Sequence, residues 1–500
     1  MLKPLPSNQW NYQMAAHLLN RAGFGGPPLA IQHLADMPME SAVSYLVDYE
    51  KIPDSTPAPE WAHPEPERLA ALRQVYQTGT PEEKRQAQQA EQKMQFQRMI
   101  ELRGWWLNRM AKGPRPFQEK MTLFWHGNFA TSVEKVREAY YMWRQNELLR
   151  RLATDNWMRI LIETGQDPAM LVWLDQAESR KEHPNENYAR EVMELFALGI
   201  GNYSEKDVTE GARALTGWSL DRQNQRFVYR PQFHDDGVKT YLGLTGNLTG
   251  EDVIAQIVAQ PASAKFITAK IWNFYAGQMP SPQLNEALAE TLRANGNNFK
   301  PLMRVMFSSE EFYSPDIVRN EVKSPTQWLV GTSRMLEIDL PPAIICMGIT
   351  RSLGQDLFAP PNVKGWDGGT TWITTNTLLA RYNEAATLVT GTLQPLANAD
   401  FTRNANAKKS PNQEKKMQQM AQRIRIGGVD VNKILTPDQK QDKDLIVAAV
   451  EHRLLQSDLS NDQENALRDF LDSRPQNQLT DADILTVVRL VMATPDYQVT

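Results

Sequence analysis

The sequence predicts a mostly α-helical protein, a multi-helix globular core carrying a small inserted β-hairpin and a partly mobile polar arm. Three observations carry that expectation. Apolar residues recur at three- and four-residue spacing along most of the chain, as in Tyr188, Val192, Leu195 and Phe196. Helical stretches are bounded by residues that start or stop helices, such as Ser204 before one and Gly199 after another. Strand-like alternation is confined to residues 225–245.

In chain order, residues 9–50 read as helices interrupted by Gly23-Phe24-Gly25-Gly26-Pro27-Pro28. Five prolines between residues 51 and 68 predict an extended surface loop. A long helix follows from Pro81 to about Lys112. Its glutamine- and glutamate-rich first half lacks an apolar stripe and should project into solvent, whereas Met99, Leu102, Trp106 and Met110 should dock. The aromatic block Phe117–Phe129 predicts an apolar helix with His126 near its C-terminal end. Further helices are expected over 134–163, at 170–175 and from Asn185 to Gly199, and then from Ser204, whose spacing to Asp207 forms a capping box. In the hairpin, Arg226–Arg230 alternates and Asp236-Gly237 is the turn signal. Helices resume from about 250 to 336. A proline- and glycine-rich loop holding Trp366 and Trp372 follows. The expected divisions are a core over 9–395 (with 51–100 as loop and projecting helix), a mobile polar arm over 396–443, and C-terminal helices over 444–500. No heptad or solenoid period is present.

Composition excludes several function classes. A formal net charge of -5 over 500 residues gives no global basic field for nucleic acid. No apolar run approaches the ~18 residues of a membrane span, and the first residues lack a hydrophobic export core. As written, the chain is expected to be soluble and cytoplasmic. The single cysteine, Cys346, lies in an apolar run and supports neither a disulfide nor a cysteine metal cluster within one chain. No Walker loop, dinucleotide glycine fingerprint, His-Glu-x-x-His or Gly-x-Ser-x-Gly elbow occurs.

Six blocks together resemble one bacterial family, the domain-of-unknown-function 1800 family. They are Ala15–Gly25, Phe124–Ala130, Asn185–Glu191, Gly217-Trp218, His234-Asp235 and Pro360–Trp366. The resemblance spans about residues 14–390 and implies no assigned activity. It does imply an alternative periplasmic location and a sulfatase-like companion protein, and so hints at envelope or polysaccharide chemistry.

The remaining polar residues define the candidate site. His126, Arg190, Glu191, His234 and Asp235 are candidate catalytic groups, with Asn128, Asn187, Lys239 and Trp218 as substrate contacts. In a hydrolase-like reading, Glu191 or Asp235 is the general base and a histidine the acid, with Arg190 and Lys239 holding an anionic group. A metal-assisted version places Zn²⁺, Fe²⁺ or Mn²⁺ among His126, Glu191, His234 and Asp235. All of this requires that the side chains converge. If they do not, they form a polar network that ties helices together. A different role, binding glycans or a protein partner, is suggested by 13 tryptophans, several beside glycines in loops.

Overall fold

Helix Pro116–Asn128 is buried on every side: eleven of its thirteen residues are inaccessible, including Gln118, Glu119, Lys120, His126 and Asn128. A helix that is apolar all round belongs in the middle of a large core. This one adds polar groups that need partners there. Around it pack the N-terminal helices Tyr12–Ala22 and Met39–Val47, the end of Pro81–Lys112, and Ala139–Arg151. The computed structural model describes residues 2–392, 427–455, 458–474 and 479–500. Among them the protein is mainly helical, and strands are confined to two small antiparallel sheets. No helix of the described residues is long and apolar enough to cross a membrane.

The helix Pro81–Lys112 has the predicted bounds, opened by a capping box between Thr80 and Glu83. The region before it differs from expectation. Residues from Pro66 to Thr78 form a further helix with no fully buried residue; Leu69, Leu72 and Val75 repeat at helical spacing but stay half-buried. Ion pairs hold it as well: Arg68 reaches Glu65, Glu91 and Glu138, and Arg98 also grips Glu65.

The β region is two hairpins rather than one. Strands β1 (Trp218–Asp221) and β2 (Arg226–Tyr229) pair first, and then β3 (Lys239–Tyr241) and β4 (Leu244–Gly246). The second turn is Leu242-Gly243, both at positive φ, and not Asp236-Gly237. Asp235 accepts a hydrogen bond from the Gly237 amide at 2.8 Å, which uses that Asp-Gly stretch for a local Asx turn.

The predicted helix from Asn185 has two parts. Asn185 caps an α-helical turn, Glu186–Glu191, through the Asn187 amide, and a π-helix follows over Val192–Ala197. Tyr188, Val192 and Phe196 are buried as the stripe requires, and Gly199 closes the element at φ +82°. Of the expected arm, residues 396–426 lie outside the described residues. Residues 427–443 are docked: Val431, Ile434 and Leu435 are buried and the Val429 amide donates to Val389 O at 2.9 Å. Four apolar side chains in that polar stretch suffice to seat it. The C-terminal helices share the core of the rest, and Val322 and Val499 form a β-bridge.

Candidate functional site

The sequence candidates fall into three neighbourhoods. His126, 2 % exposed, sits among the rings of Trp106, Phe358 and Trp366. Its Nε2 accepts the Phe358 amide at 3.1 Å, which fixes the proton on Nδ1 and occupies the nitrogen a metal would take. Burial, helped by Arg103, pushes its pKa down to about 3. Asn128, two residues further, is buried, and neither side-chain polar atom has a hydrogen-bond partner among the described residues.

The second neighbourhood joins the hairpins to helix Glu205–Ala214. His234 Nδ1 donates to Thr216 O at 2.9 Å, and the Asp235 carboxylate takes a two-pronged grip from Arg213 at 2.7 and 3.1 Å. Arg213 first, and burial against it, leave Asp235 with a lowered pKa. Lys239 is buried under this loop and donates to Asp235 O, Gly237 O and Asn247 Oδ1. Trp218 is 1 % exposed, packed near Tyr188 and Phe227. Lys239 and Trp218 are therefore structural here and offer a substrate no surface.

The third lies on helix Glu186–Glu191. Arg190 turns away from Glu191 toward Glu205 (2.8 Å) and Glu186 (3.5 Å), and Asn187 is exposed. Glu191 is half-buried, and burial followed by the charge of Glu194 raises its pKa. No hydrogen bond or ion pair joins any two of His126, Glu191 and His234. Among the described residues no three His, Cys, Asp or Glu side chains gather to hold a metal. The expected metal set His126, Glu191, His234 and Asp235 is not gathered in one place here: the Phe358 amide engages His126, Thr216 O takes the His234 ring and Arg213 holds Asp235.

What the structure does assemble lies at the other end of the buried helix. Four helix ends converge there: the C-termini of Pro81–Lys112 and Ala139–Arg151 and the N-termini of Pro116–Asn128 and Phe299–Phe307. With the loop around Asp54 they enclose an open cleft of about 850 Å³. Arginines in the last turns, Arg109, Arg150 and Arg151, complement the negative ends of their helices. Eight residues of helix, ~12 Å of rise, separate Gln118 in this cleft from His126.

Glu119, buried behind the cleft, holds two of its lining arginines. Its Oε1 accepts from Arg109 Nε and Arg150 Nε, both at 2.8 Å, and its Oε2 from Arg150 Nη2 at 3.0 Å and Trp106 Nε1 at 2.9 Å. Burial alone would raise its pKa, but Arg150 and Arg109 outweigh burial and hold it below the usual carboxylate range. Arg109 and Arg150 also flank the Trp105 ring, at 5.2 and 5.0 Å. Asp54 pairs with Arg109, Glu147 with Arg150, and Glu50 with Lys300. Tyr49 and Thr154 hydroxyls join at 2.9 Å on one wall. Sequence reasoning passed over these residues. The available signal was Glu119-Lys120 inside an otherwise apolar helix, because such residues are rarely buried unless paired.

No curated protein and no solved structure matches the chain. A family model described as Protein of unknown function (DUF1800) matches residues 17–499, nearly the whole length, and the chain belongs to that family.

Proposed function

We propose that the protein binds a polyhydroxylated, glycan-type ligand in the Arg109–Glu119–Arg150 cleft. The observation that carries this is the chemistry of the lining. Of fifteen residues, Pro301 alone has no polar side-chain group, and donors and acceptors are interleaved. An apolar ligand would leave these groups without partners on desolvation, at ~1–3 kcal/mol each. Sugar hydroxyls both donate and accept, and so match such a wall. The guanidiniums are already fixed by Glu119 and Trp105, so little side-chain ordering opposes binding. Calorimetric titration against neutral and acidic oligosaccharides is the test. Asn298 is exposed at the cleft edge and makes no capping bond, and its amide donates only to exposed loop carbonyls, Asn295 O at 2.9 Å and Gly296 O at 3.5 Å, so Asn298→Ala should cost the fold no more than about 1 kcal/mol. It should weaken binding roughly two- to ten-fold, as loss of one neutral hydrogen bond does. Absence of binding across the whole panel would overturn the proposal.

A hydrolytic reading comes second, and Glu191 favours it. Burial and then the charge of Glu194 shift this half-buried carboxyl in the direction a general acid needs. If it acts so, Glu191→Gln abolishes release of reducing ends from any glycan the protein cleaves and leaves glycan affinity in place.

A further inference from the structure

Five cations line the cleft, and four of them already hold a carboxylate. Arg109 grips Asp54 and Glu119, Arg150 grips Glu119 and Glu147, Arg151 holds Glu163 at 2.6 Å, and Lys300 holds Glu50. Arg115 differs. Its Nε donates to Ile52 O at 2.7 Å and its Nη1 leans on Gln118 Oε1 at 3.5 Å, the long limit of a hydrogen bond. No ion pair reaches its guanidinium among the described residues, and the side chain is only partly covered.

Its position is nonetheless fixed. Pro116 follows it and opens the buried helix, the Ile52 carbonyl anchors Nε, and Gln118 is itself held by donating to Arg150 O at 3.0 Å. A guanidinium anchored through Nε keeps the remaining edge of its fork for a planar or tetrahedral anion. A neutral polyol would leave that charge without a counterion in a cleft where every other cation has one.

We infer that Arg115 anchors an anionic substituent, a carboxylate or a sulfate, on the bound glycan, so that the cleft selects acidic over neutral saccharides. This rests on the glycan reading above. The anion makes the two-pronged contact and the interleaved wall takes the hydroxyls. Because every other cation of the wall already holds a carboxylate, the selectivity resides in this one residue.

The test compares three oligosaccharides of equal length, one neutral, one uronic-acid-bearing and one sulfated, on the wild type and Arg115→Gln. The wild type should bind at least one acidic member roughly ten-fold more tightly than the neutral one, as a charge-assisted pair provides. The two acidic arms distinguish carboxylate from sulfate. In Arg115→Gln the acidic-to-neutral ratio should fall to about one. A ratio near one in the wild type, or one unchanged in the variant, overturns the inference. Should Arg115→Gln fail to fold, Arg115→Lys keeps the charge without the fork and should lower the ratio several-fold. Failure of every oligosaccharide to bind removes the glycan reading. Inorganic sulfate then decides the anchor: stabilisation of the wild type over chloride at equal ionic strength, lost in the variant, retains it, and no such stabilisation overturns it.

Discussion

His126 is a histidine that its surroundings keep uncharged. An imidazolium there would face three aromatic rings and the nearby Arg103, and it would lose the hydrogen bond from the Phe358 amide, because a protonated Nε2 cannot accept one. The consequence for stability has a definite sign. The folded pKa, about 3, lies below the unfolded value near 6.5, so between those limits the unfolded chain binds more protons. The contribution is fully present above pH 6.5 and is lost as pH falls toward 3. A glutamine at this position could accept the Phe358 amide and does not titrate. His126→Gln should therefore flatten the decline of stability from pH 6.5 to 4, relative to wild type, by up to ~1.4 kcal/mol per pH unit. Urea unfolding at pH 6.5, 5.5 and 4.5 checks this, and parallel profiles for the two proteins would refute it. Residue types alone could not separate this role from metal ligation. A histidine at a helix end suits either, and what decides is Phe358, more than two hundred residues away in the chain.

At the scale of elements, helix Glu186–Glu191 and its π-helical continuation lie where another segment has no side chain. A Cβ placed on Gly165 would stand 2.1 Å from the Tyr188 hydroxyl and 3.0 Å from the Trp218 ring. Gly165→Ala must therefore push Tyr188 out of the core. A loss of ~1–3 kcal/mol is expected, the usual range for overpacking. Adding Tyr188→Phe removes the nearest atom but leaves the ring carbon at 2.8 Å, so the double variant should recover part of the loss. Additive losses in denaturant unfolding would count against this packing. Helix boundaries of this kind were legible in the sequence because their causes are local: the Ser204–Asp207 box, Asn185 as cap, and Gly199 in the left-handed region all depend on near neighbours. The helix from Pro66 was legible only in its short Leu69, Leu72, Val75 stripe, which stays half-buried, while the ion pairs to Glu91 and Glu138 that also hold it come from distant residues. The hairpins were half legible. Asp236-Gly237 marked a turn region, but the Asp235 side chain and buried Lys239 turn it into a pinned loop beside the true turn at Leu242-Gly243. The cleft was least legible, because it exists only where four helix ends from residues 49–301 meet.

Across the whole molecule the core is continuous from Leu5 to Tyr497, and the polar seams through it are built from buried cations. The C-terminal helices are sewn to the rest in this way. Arg453 donates to Met335 O at 2.9 Å and pairs with Glu337, Arg381 donates to Gln498 Oε1 and Lys323 O, and the Lys323 ammonium donates to Tyr497 O at 2.7 Å. Two further lysines share its position behind the surface. Lys120 lies between the rings of Phe24 and Phe274, and Lys270 donates to Leu195 O at 2.9 Å. Burial brings their pKa values down to about 7 for Lys323 and about 8 for the other two; neighbouring cations add to it, and at Lys120 the charge of Glu321 opposes it. Each folded value lies below the unfolded 10.5, so above about pH 7 the unfolded chain holds more protons than the folded one. Stability must rise with pH across that window, by up to ~1.4 kcal/mol per pH unit for each lysine that titrates. The buried thiol of Cys346, with a pKa raised by burial to about 12, acts in the opposite sense above pH 9 and there offsets the contribution of one lysine. The protein should therefore melt at a higher temperature at pH 9 than at pH 7. Lys323→Met, which keeps the stem and removes the charge, loses the bond to Tyr497 O but should show a shallower rise with pH. Melting curves of both proteins at pH 7, 8 and 9 decide it, and a wild-type melting temperature that falls over this range would refute the account of these lysines.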